Sequence, residues 1–175
     1  MTQKKPLQAL EKFEKVLELN PNNQEALLFA GMIYSDKGQE EKAKLLYEKS
    51  LEINETNVVA LNNLAFIFSS QPPLDLNRAL ELAQQAYKIA PQSGQVADTL
   101  GWIYFQQGRY AEALVYLRQA REALPKLGEV RYHLGKTYLH LQDAMNAKVE
   151  FQEALRLEPK AFFVAEVKKW LESEK

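Results

Sequence analysis

The sequence predicts an all-α protein built from helix-turn-helix units that recur about every 34 residues. Apolar residues return at three-and-four spacing in stretch after stretch, which is the pattern of an amphipathic helix. Small residues recur in one register, 34, 36 and 34 residues apart, at Gly31, Ala65, Gly101 and Gly135. A third series marks the ends of the units, at Pro21, Pro91, Pro125 and Pro159. A fixed period of this length indicates a repeat protein whose units stack on one another.

The stretch 94–127 is the clearest copy of the unit. Its key positions are, in order, Ala97, Leu100, Gly101, Tyr104, Gly108, Ala113, Leu117 and Pro125. They resemble the tetratricopeptide repeat (TPR), with Ala97 at the first aromatic position of the signature and Leu117 at the later one. The resemblance implies helix pairs stacked in a right-handed superhelix, an α-solenoid with a concave and a convex surface.

The spacing divides a single domain, 1–175, into successive units. A helix from Pro6 to about Leu19 matches only the second half of the repeat, so we expect the chain to begin with a half-repeat at 6–23. Full repeats are predicted at 24–57, 58–93, 94–127 and 128–161. Phe163, Val167 and Trp170 then recur at helical spacing and predict an amphipathic capping helix over 162–175.

The repeat at 58–93 is two residues longer than the others. Its turn chemistry lies in Ser69-Ser70-Gln71-Pro72-Pro73. A residue before proline avoids the α region, so the first helix should end by about Gln71, and Asp75 or Asn77 should cap the second. The insertion is therefore expected in the turn between the two helices.

Glycine in a helix costs roughly 1 kcal/mol relative to alanine, so the glycines at the shared register require a compensating gain. We predict that close packing of neighbouring helices supplies it. Ala83 replaces the Tyr47, Leu117 or Phe151 of the other repeats and indicates a thinner contact there.

Composition favours an ordinary soluble globular chain and motivates no nucleic-acid or membrane partner. The 175 residues are 46% hydrophobic and 26% charged, with a formal net charge of -1 and no cysteine. Mixed charge gives no electrostatic footprint for nucleic acid or anionic lipid. Without cysteine there is neither a disulfide nor a thiol nucleophile, and the compartment, cytoplasmic or periplasmic, is left open.

The sequence predicts no catalytic residues, metal site or cofactor. Gly135-Lys136-Thr137 resembles the end of a phosphate-binding loop, but it falls inside a predicted helix and lacks the required glycine spacing. His133 and His140 are about 10 Å apart along a helix, too far for one metal ion, and are read as two partly exposed side chains.

In TPR proteins, the first-helix residues that point away from the helix pair line the concave groove. Carried over by position, the predicted partner-binding residues are Met32, Asn62, Asn63, Phe66, Asp98, Thr99, Trp102, Phe105, Tyr132, His133 and Lys136. Aromatic rings offer contact area and the polar groups fix register, which suits a peptide or helix. Plain helix packing of Trp102 and Phe105 is the alternative. Asn63 resembles one rung of the asparagine ladder that grips peptide backbone in some TPR proteins.

The preferred hypothesis is a non-catalytic, protein-binding scaffold that takes a peptide or helix of a partner protein in its groove. The alternative is a self-assembling structural protein of a bacterial envelope complex, such as exopolysaccharide export or pilus biogenesis. Self-assembly is suggested by the half-repeat, where Leu7, Leu10 and Val16 are expected to lie uncovered and to allow homo-oligomers. The envelope role is what a resemblance of residues 60–68 and 96–120 to bacterial TPR proteins of envelope assemblies implies. An enzyme is the third and least supported class.

Overall fold

The computed structural model describes residues 4–173, with side chains from residue 7 onward, and every regular element in this range is an α-helix. These helices are α1 (Lys4–Leu19), α2 (Gln24–Asp36), α3 (Glu40–Ile53), α4 (Val58–Ser70), α5 (Leu76–Ile89), α6 (Gly94–Gln106), α7 (Tyr110–Ala123), α8 (Gly128–His140), α9 (Ala144–Leu157) and α10 (Val164–Ser173). The predicted all-α class is confirmed. The last two residues of the predicted capping helix lie outside the described range.

The chain divides into two compact units, Met1–Ile89 and Ala90–Lys175. Unit 1 contains α1 to α5 and unit 2 contains α6 to α10. Within each unit, helices that follow one another in the chain pack together. The partition into a half-repeat, four repeats and a capping helix stays a prediction.

The first helices of the pairs begin at a recurrent capping residue. Three N-cap side chains accept a hydrogen bond from the backbone amide three residues later, Asn23 from Ala26, Asn57 from Ala60 and Ser93 from Val96. A cap of this kind is worth roughly 1 kcal/mol because it satisfies an amide that has no partner in the helix. At α8 the N-cap is Leu127, and the Gly128 amide donates instead to Glu158 Oε1 at 2.8 Å.

The turn between the two helices of a pair uses one left-handed residue. Gly38 and Gly108 have φ values of 68° and 75°, and Gln142 has 61° at the same place between α8 and α9. A left-handed conformation costs a residue with a β-carbon roughly 1–2 kcal/mol, and glycine avoids this cost. The turn between α8 and α9 therefore keeps the left-handed geometry although Gln142 takes the place of the preferred glycine.

The two extra residues of the second full repeat are absorbed in its turn. α4 ends at Ser70 with Gln71 as C-cap, which confirms the predicted end. Asp75 then accepts a hydrogen bond from the Arg78 amide at 2.9 Å, while its own amide donates to the Phe68 carbonyl. Asp75 thus caps α5, as one of the two predicted alternatives.

Glycine in the first helix faces a large side chain in the second. A β-carbon at Gly31 would lie 2.7 Å from the Tyr47 ring, one at Gly101 would lie 2.7 Å from Leu117 Cγ, and one at Gly135 would overlap the Phe151 ring. The corresponding residues of α4 and α5, Ala65 and Ala83, are small and fully buried. Close packing therefore compensates the cost of the helical glycines, as predicted.

The first helix is only partly covered. Leu10 is buried, and Phe13 stacks on Phe29 of α2 with ring centroids 5.3 Å apart. Leu7 and Val16 are exposed. The expectation that all three apolar residues of this helix lie uncovered is therefore wrong for Leu10, because α2 packs against it on one side.

The last helix is shorter than the segment predicted for it and packs on α9. Val167 is its buried residue, and Trp170 meets the Phe151 ring edge-on at 5.2 Å. Phe162 and Phe163 precede the helix rather than belong to it.

We expect Gly135→Ala to lower the free energy of unfolding by about 1–3 kcal/mol, because its methyl group overlaps the Phe151 ring. Urea denaturation followed by circular dichroism measures this change. In a Phe151→Ala background the ring is absent, so Gly135→Ala should cost little or stabilise the chain through its better helix propensity. An equal loss in both backgrounds would contradict the steric explanation.

Candidate functional site

The sides of α2 and α4 that lie away from the core of unit 1 carry exposed apolar residues. Together with two asparagines they form the α2–α4 face, which comprises Phe29, Met32, Val59, Asn62, Asn63 and Phe66. The four apolar side chains are each 43–45% exposed. Residues three and four apart share one side of a helix, so each helix presents its members together. Clustered exposed apolar surface is typical of an interaction site.

The two asparagines of this face differ in their partners. The Asn63 amide forms a hydrogen bond with the Tyr47 hydroxyl, and burial raises the pKa of Tyr47. The Asn62 Oδ1 atom is buried and has no hydrogen-bond partner among the described residues. A buried acceptor without a partner is costly, so Asn62 is the asparagine with unused hydrogen-bonding capacity.

In unit 2, α6 and α8 hold a stack of aromatic rings. The half-buried Trp102 lies parallel to Phe105, with centroids 4.6 Å apart, and to His133 of α8, at 4.1 Å. Phe105 continues the cluster to Tyr110 and His140. Trp102 and Phe105 therefore pack against neighbouring rings and keep part of their surface in solvent. Thr99, also on α6, is half-buried.

A polar contact joins the same two helices. His133 Nδ1 lies 2.9 Å from Asp98 Oδ1, and the His133 side chain is 7% exposed. The prediction of two partly exposed histidines is therefore wrong for His133, because Trp102 covers its ring and Asp98 occupies its nitrogen. His140 is exposed, and its ring stacks on Tyr110 at 4.5 Å.

Residues 161–173, here termed the C-terminal arm, contact the remaining predicted residues of α8. The Tyr132 ring stacks on Phe163 with centroids 4.8 Å apart, and its hydroxyl donates to Glu166 Oε2 at 2.8 Å. Lys136 Nζ lies 2.5 Å from Glu166 Oε1. Burial and the contact with Glu166 raise the pKa of Tyr132. Although burial acts in the opposite direction, the bonds from Lys136 and Tyr132 hold the pKa of Glu166 below its ordinary value.

Glu129 lies on α8 one turn before His133. Burial raises the pKa of Glu129, and the charges of Asp98 and Glu158 add to this effect, whereas His133 opposes it. The ionised form of this carboxylate is therefore less favourable in the folded chain than in the unfolded chain.

These faces carry aromatic rings, amides and single charged groups. Among the described residues, no group of three or more His, Asp or Glu side chains is placed to hold a metal ion. Within the part of the chain that the structure describes, the recorded hydrogen-bond partner of the His133 ring is Asp98, whereas a nucleophilic site requires a Ser or Thr hydroxyl there. No helix in residues 4–173 has the length and apolar character needed to cross a membrane.

The structure groups the predicted residues by unit. Met32, Asn62, Asn63 and Phe66 belong to the α2–α4 face of unit 1, and Asp98, Thr99, Trp102, Phe105, Tyr132, His133 and Lys136 belong to the α6–α8 face of unit 2. Sequence reasoning missed Phe163 and Glu166, which contact Tyr132 and Lys136. Their signal was the aromatic pair Phe162-Phe163, which follows Pro159 after two residues and lies outside the repeat register.

Helix pairs with one shared turn geometry and one shared glycine register define a helical-repeat protein. Sequence profiles of the tetratricopeptide repeat match residues 74–126 in one case and residues 1–65 and 104–165 in another. The second match alone covers more than half of the 175 residues. The chain therefore belongs to the tetratricopeptide repeat family.

Similar proteins serve diverse assemblies. The chain is 27% identical to the BBSome complex member BBS4 of Bos taurus, over 86% of this chain and 35% of that protein. It is 28% identical to the type IV pilus assembly protein PilF of Pseudomonas aeruginosa, over 76% of this chain and 53% of that protein. It thus spans a third to a half of these relatives. A solved thermophilic TPR protein of Thermus thermophilus shares the fold, with a TM-score of 0.75 and 22% identity over 93% and 88% of the two chains.

We expect Glu129→Gln to stabilise unit 2 at neutral pH, because it removes a carboxylate whose ionisation is unfavourable in the fold. Below about pH 4 glutamate is protonated in both states and the gain should vanish. The gain should grow as the pH rises from the ordinary glutamate pKa to the raised pKa of Glu129.

Urea denaturation of wild type and Glu129→Gln between pH 3.5 and 8 measures this dependence. Glu122→Gln, at an exposed residue of α7, is the matched control. A stability difference that does not change with pH, or that has the opposite sign at pH 7, would contradict the prediction.

Proposed function

We propose that this chain is a non-catalytic interaction module that binds a peptide or helix of a partner protein on its first helices. TPR proteins generally act as protein-interaction scaffolds, and the family and fold are typically non-catalytic. The observation that carries the proposal is the α2–α4 face, where four large apolar side chains are exposed beside two asparagines.

The α2–α4 face suits a segment with both apolar side chains and accessible backbone. Phe66 and Met32 offer contact area at no cost in opening the core, because they are already exposed. Asn62 supplies the polar contact: turning its amide towards a bound main chain gives its Oδ1 atom a donor. Asn63 is less suited to the role of a ladder rung, since Tyr47 already engages its amide.

The α6–α8 face offers a second, more rigid surface. Trp102 and Phe105 are held in a parallel stack, so little side-chain entropy is lost when their free edges contact a partner. Asp98 is engaged with His133 and serves mainly to hold that ring against Trp102.

The test uses peptides selected against the intact chain from a random display library, with affinities measured by fluorescence polarisation. Phe66→Ala and Asn62→Ala should each weaken the selected peptides by roughly five- to thirtyfold, the effect of losing an interface anchor. Leu45→Ala is the matched control, since Leu45 is also apolar and is still more exposed than Phe66, at 65% against 45%, but lies on α3. Thermal unfolding checks that each variant is folded. If the selected peptides bound Phe66→Ala, Asn62→Ala and Trp102→Ala as tightly as wild type, neither face would be the binding site.

The alternative function, self-assembly in a bacterial envelope complex, is supported by one observation. Leu7 and Val16 are exposed on α1, where a second copy of the chain finds an apolar surface. The similarity to PilF, a pilus assembly protein, agrees with this role.

If self-assembly is the function, analytical ultracentrifugation should show a weight-average mass that rises over a hundredfold range of concentration. Val16→Glu should abolish the rise by placing a charge in the contact, whereas Lys15→Glu, at its exposed neighbour, should not. A constant monomer mass across the range would exclude this alternative.

A further inference from the structure

The C-terminal arm occupies the part of the α6–α8 face that Tyr132 and Lys136 would offer a partner. Phe163 covers the Tyr132 ring in a parallel stack, with an angle of 9° between the planes. Glu166 accepts from the Tyr132 hydroxyl with one carboxylate oxygen and lies against the Lys136 ammonium with the other. Two chemically distinct contacts, one aromatic and one ionic, therefore fall on two residues one helical turn apart.

These contacts are of the kind that recognises a ligand. A stacked ring pair and a carboxylate held by an ammonium and a hydroxyl both require specific geometry, because ring planes and lone pairs must be aligned. Ordinary packing of a terminal helix requires only apolar contact. The polar half of the arrangement is also reachable from solvent, since the Glu166 side chain is 53% exposed.

The C-terminal arm leaves an apolar cleft beside it open and one of its own rings exposed. A cleft of about 280 Å³ opens beside α10, lined by Leu139, Phe151, Val167 and Trp170, with Glu166, Lys169 and Ser173 also bordering it. Phe162, the neighbour of the stacked ring, is 73% exposed. A helix with a purely covering role would fill the apolar cleft and bury this ring. Phe163 and Val167 are the fully buried apolar side chains of the arm, and α10 packs on α9. Segments with few buried apolar contacts open at low free energy, so an arm held by two such side chains can be displaced.

We propose that Tyr132 and Lys136 recognise a helical segment of a partner protein that carries an aromatic residue and, three positions later, a carboxylate. The C-terminal arm occupies this site within the chain, and the partner binds by displacing it. This inference rests on the proposed function and adds the chemistry of the partner. Phe163 directly precedes α10 and its carbonyl accepts a hydrogen bond from the Val167 amide, while Glu166 lies in the first turn of α10. In this arrangement both side chains reach the same two residues of α8.

Charge complementarity selects an acidic partner segment. The Lys136 ammonium contacts Glu166 of the arm, whereas Arg131, five residues earlier on α8, is held by Glu150 at 2.9 Å. A segment with a basic residue at the position of Glu166 would place two cations together. A second copy of the chain, whose own arm carries the same residues, is the competing occupant and is separated by the experiment.

The test supplies the sequence of the C-terminal arm as a separate peptide. A fluorescently labelled synthetic peptide of residues 161–173 is titrated into the full chain as wild type and as Glu166→Gln, with polarisation as the readout. Glu166→Gln weakens the resident arm at an exposed side chain, and the site becomes free for a larger fraction of the time. The peptide should then bind about three- to tenfold more tightly than to wild type, since apparent affinity scales with the free fraction. Glu172→Gln, an equal charge change elsewhere on α10, should leave the affinity at the wild-type value.

A second set of variants, made in the Glu166→Gln chain and in the peptide, tests which side chains contribute to binding. Adding Lys136→Ala should weaken the peptide about tenfold, whereas Lys148→Ala, at an exposed residue of α9, should have no effect. Peptides with Phe163→Ala or Glu166→Gln should each lose about tenfold. Phe163→Ala in the chain is a second way to weaken the arm and should raise affinity in the same direction, with circular dichroism as the check of folding.

Three results would overturn the inference. They are absence of peptide binding to Glu166→Gln, equal binding to Glu166→Gln and wild type, and binding that is insensitive to Lys136→Ala. A wild-type dimer in light scattering that Glu166→Gln dissociates would assign the site to a second copy instead. The binding test on Phe66 and Asn62 concerns unit 1, so its outcome is independent. Peptides sensitive to Phe66→Ala together with an inert arm peptide would reject this inference and leave the proposed function intact.

Discussion

The close approach of the first helix to the second helix within a pair is the constraint on which the rest of each unit depends. In three pairs it requires glycine in one helix, because the space of a β-carbon is filled by Tyr47, Leu117 or Phe151. In the remaining pair, Ala65 and Ala83 divide the same space between two small residues. The two helices therefore divide the volume at their crossing differently in the glycine pairs and in the alanine pair. The crossing stays closely packed in both cases, as expected for a protein interior. The small residues of the first helix lie on the side that contacts the second helix. The opposite side of the first helix takes no part in this contact.

That opposite side is used in two ways. In unit 1 it remains open, with Phe29, Met32, Val59 and Phe66 in solvent and Asn62 short of a partner. In unit 2 it is largely satisfied by the chain itself, because Trp102 rests on His133 and Tyr132 rests on Phe163. An open face can bind at once, whereas a self-satisfied face binds only what competes with its own contacts.

The ion pairs of unit 2 fall into two groups that differ in their exposure to solvent. The Arg121–Glu150–Arg131 group is internal, with a Glu150 side chain only 5% exposed, and removal of one member would leave a buried charge. The Lys136–Glu166 pair is nearer the surface, with side chains 24% and 53% exposed, and can be exchanged for an equivalent pair with another segment. A surface pair of this kind contributes more to the choice of partner than to stability.

The sequence by itself determined what depends on near neighbours in the chain. Helix periodicity predicted the all-α class, proline and serine at 69–73 predicted the end of α4, and Asp75 was one of two residues predicted to cap α5. The same spacing placed the candidate residues on first helices. Only the tertiary structure decided which of them are accessible: His133 is covered by Trp102, Asn63 is engaged by Tyr47, and Tyr132 lies under the C-terminal arm. Repeat spacing places a residue on a helix side, but its exposure depends on side chains up to about thirty residues away, which local patterns do not specify.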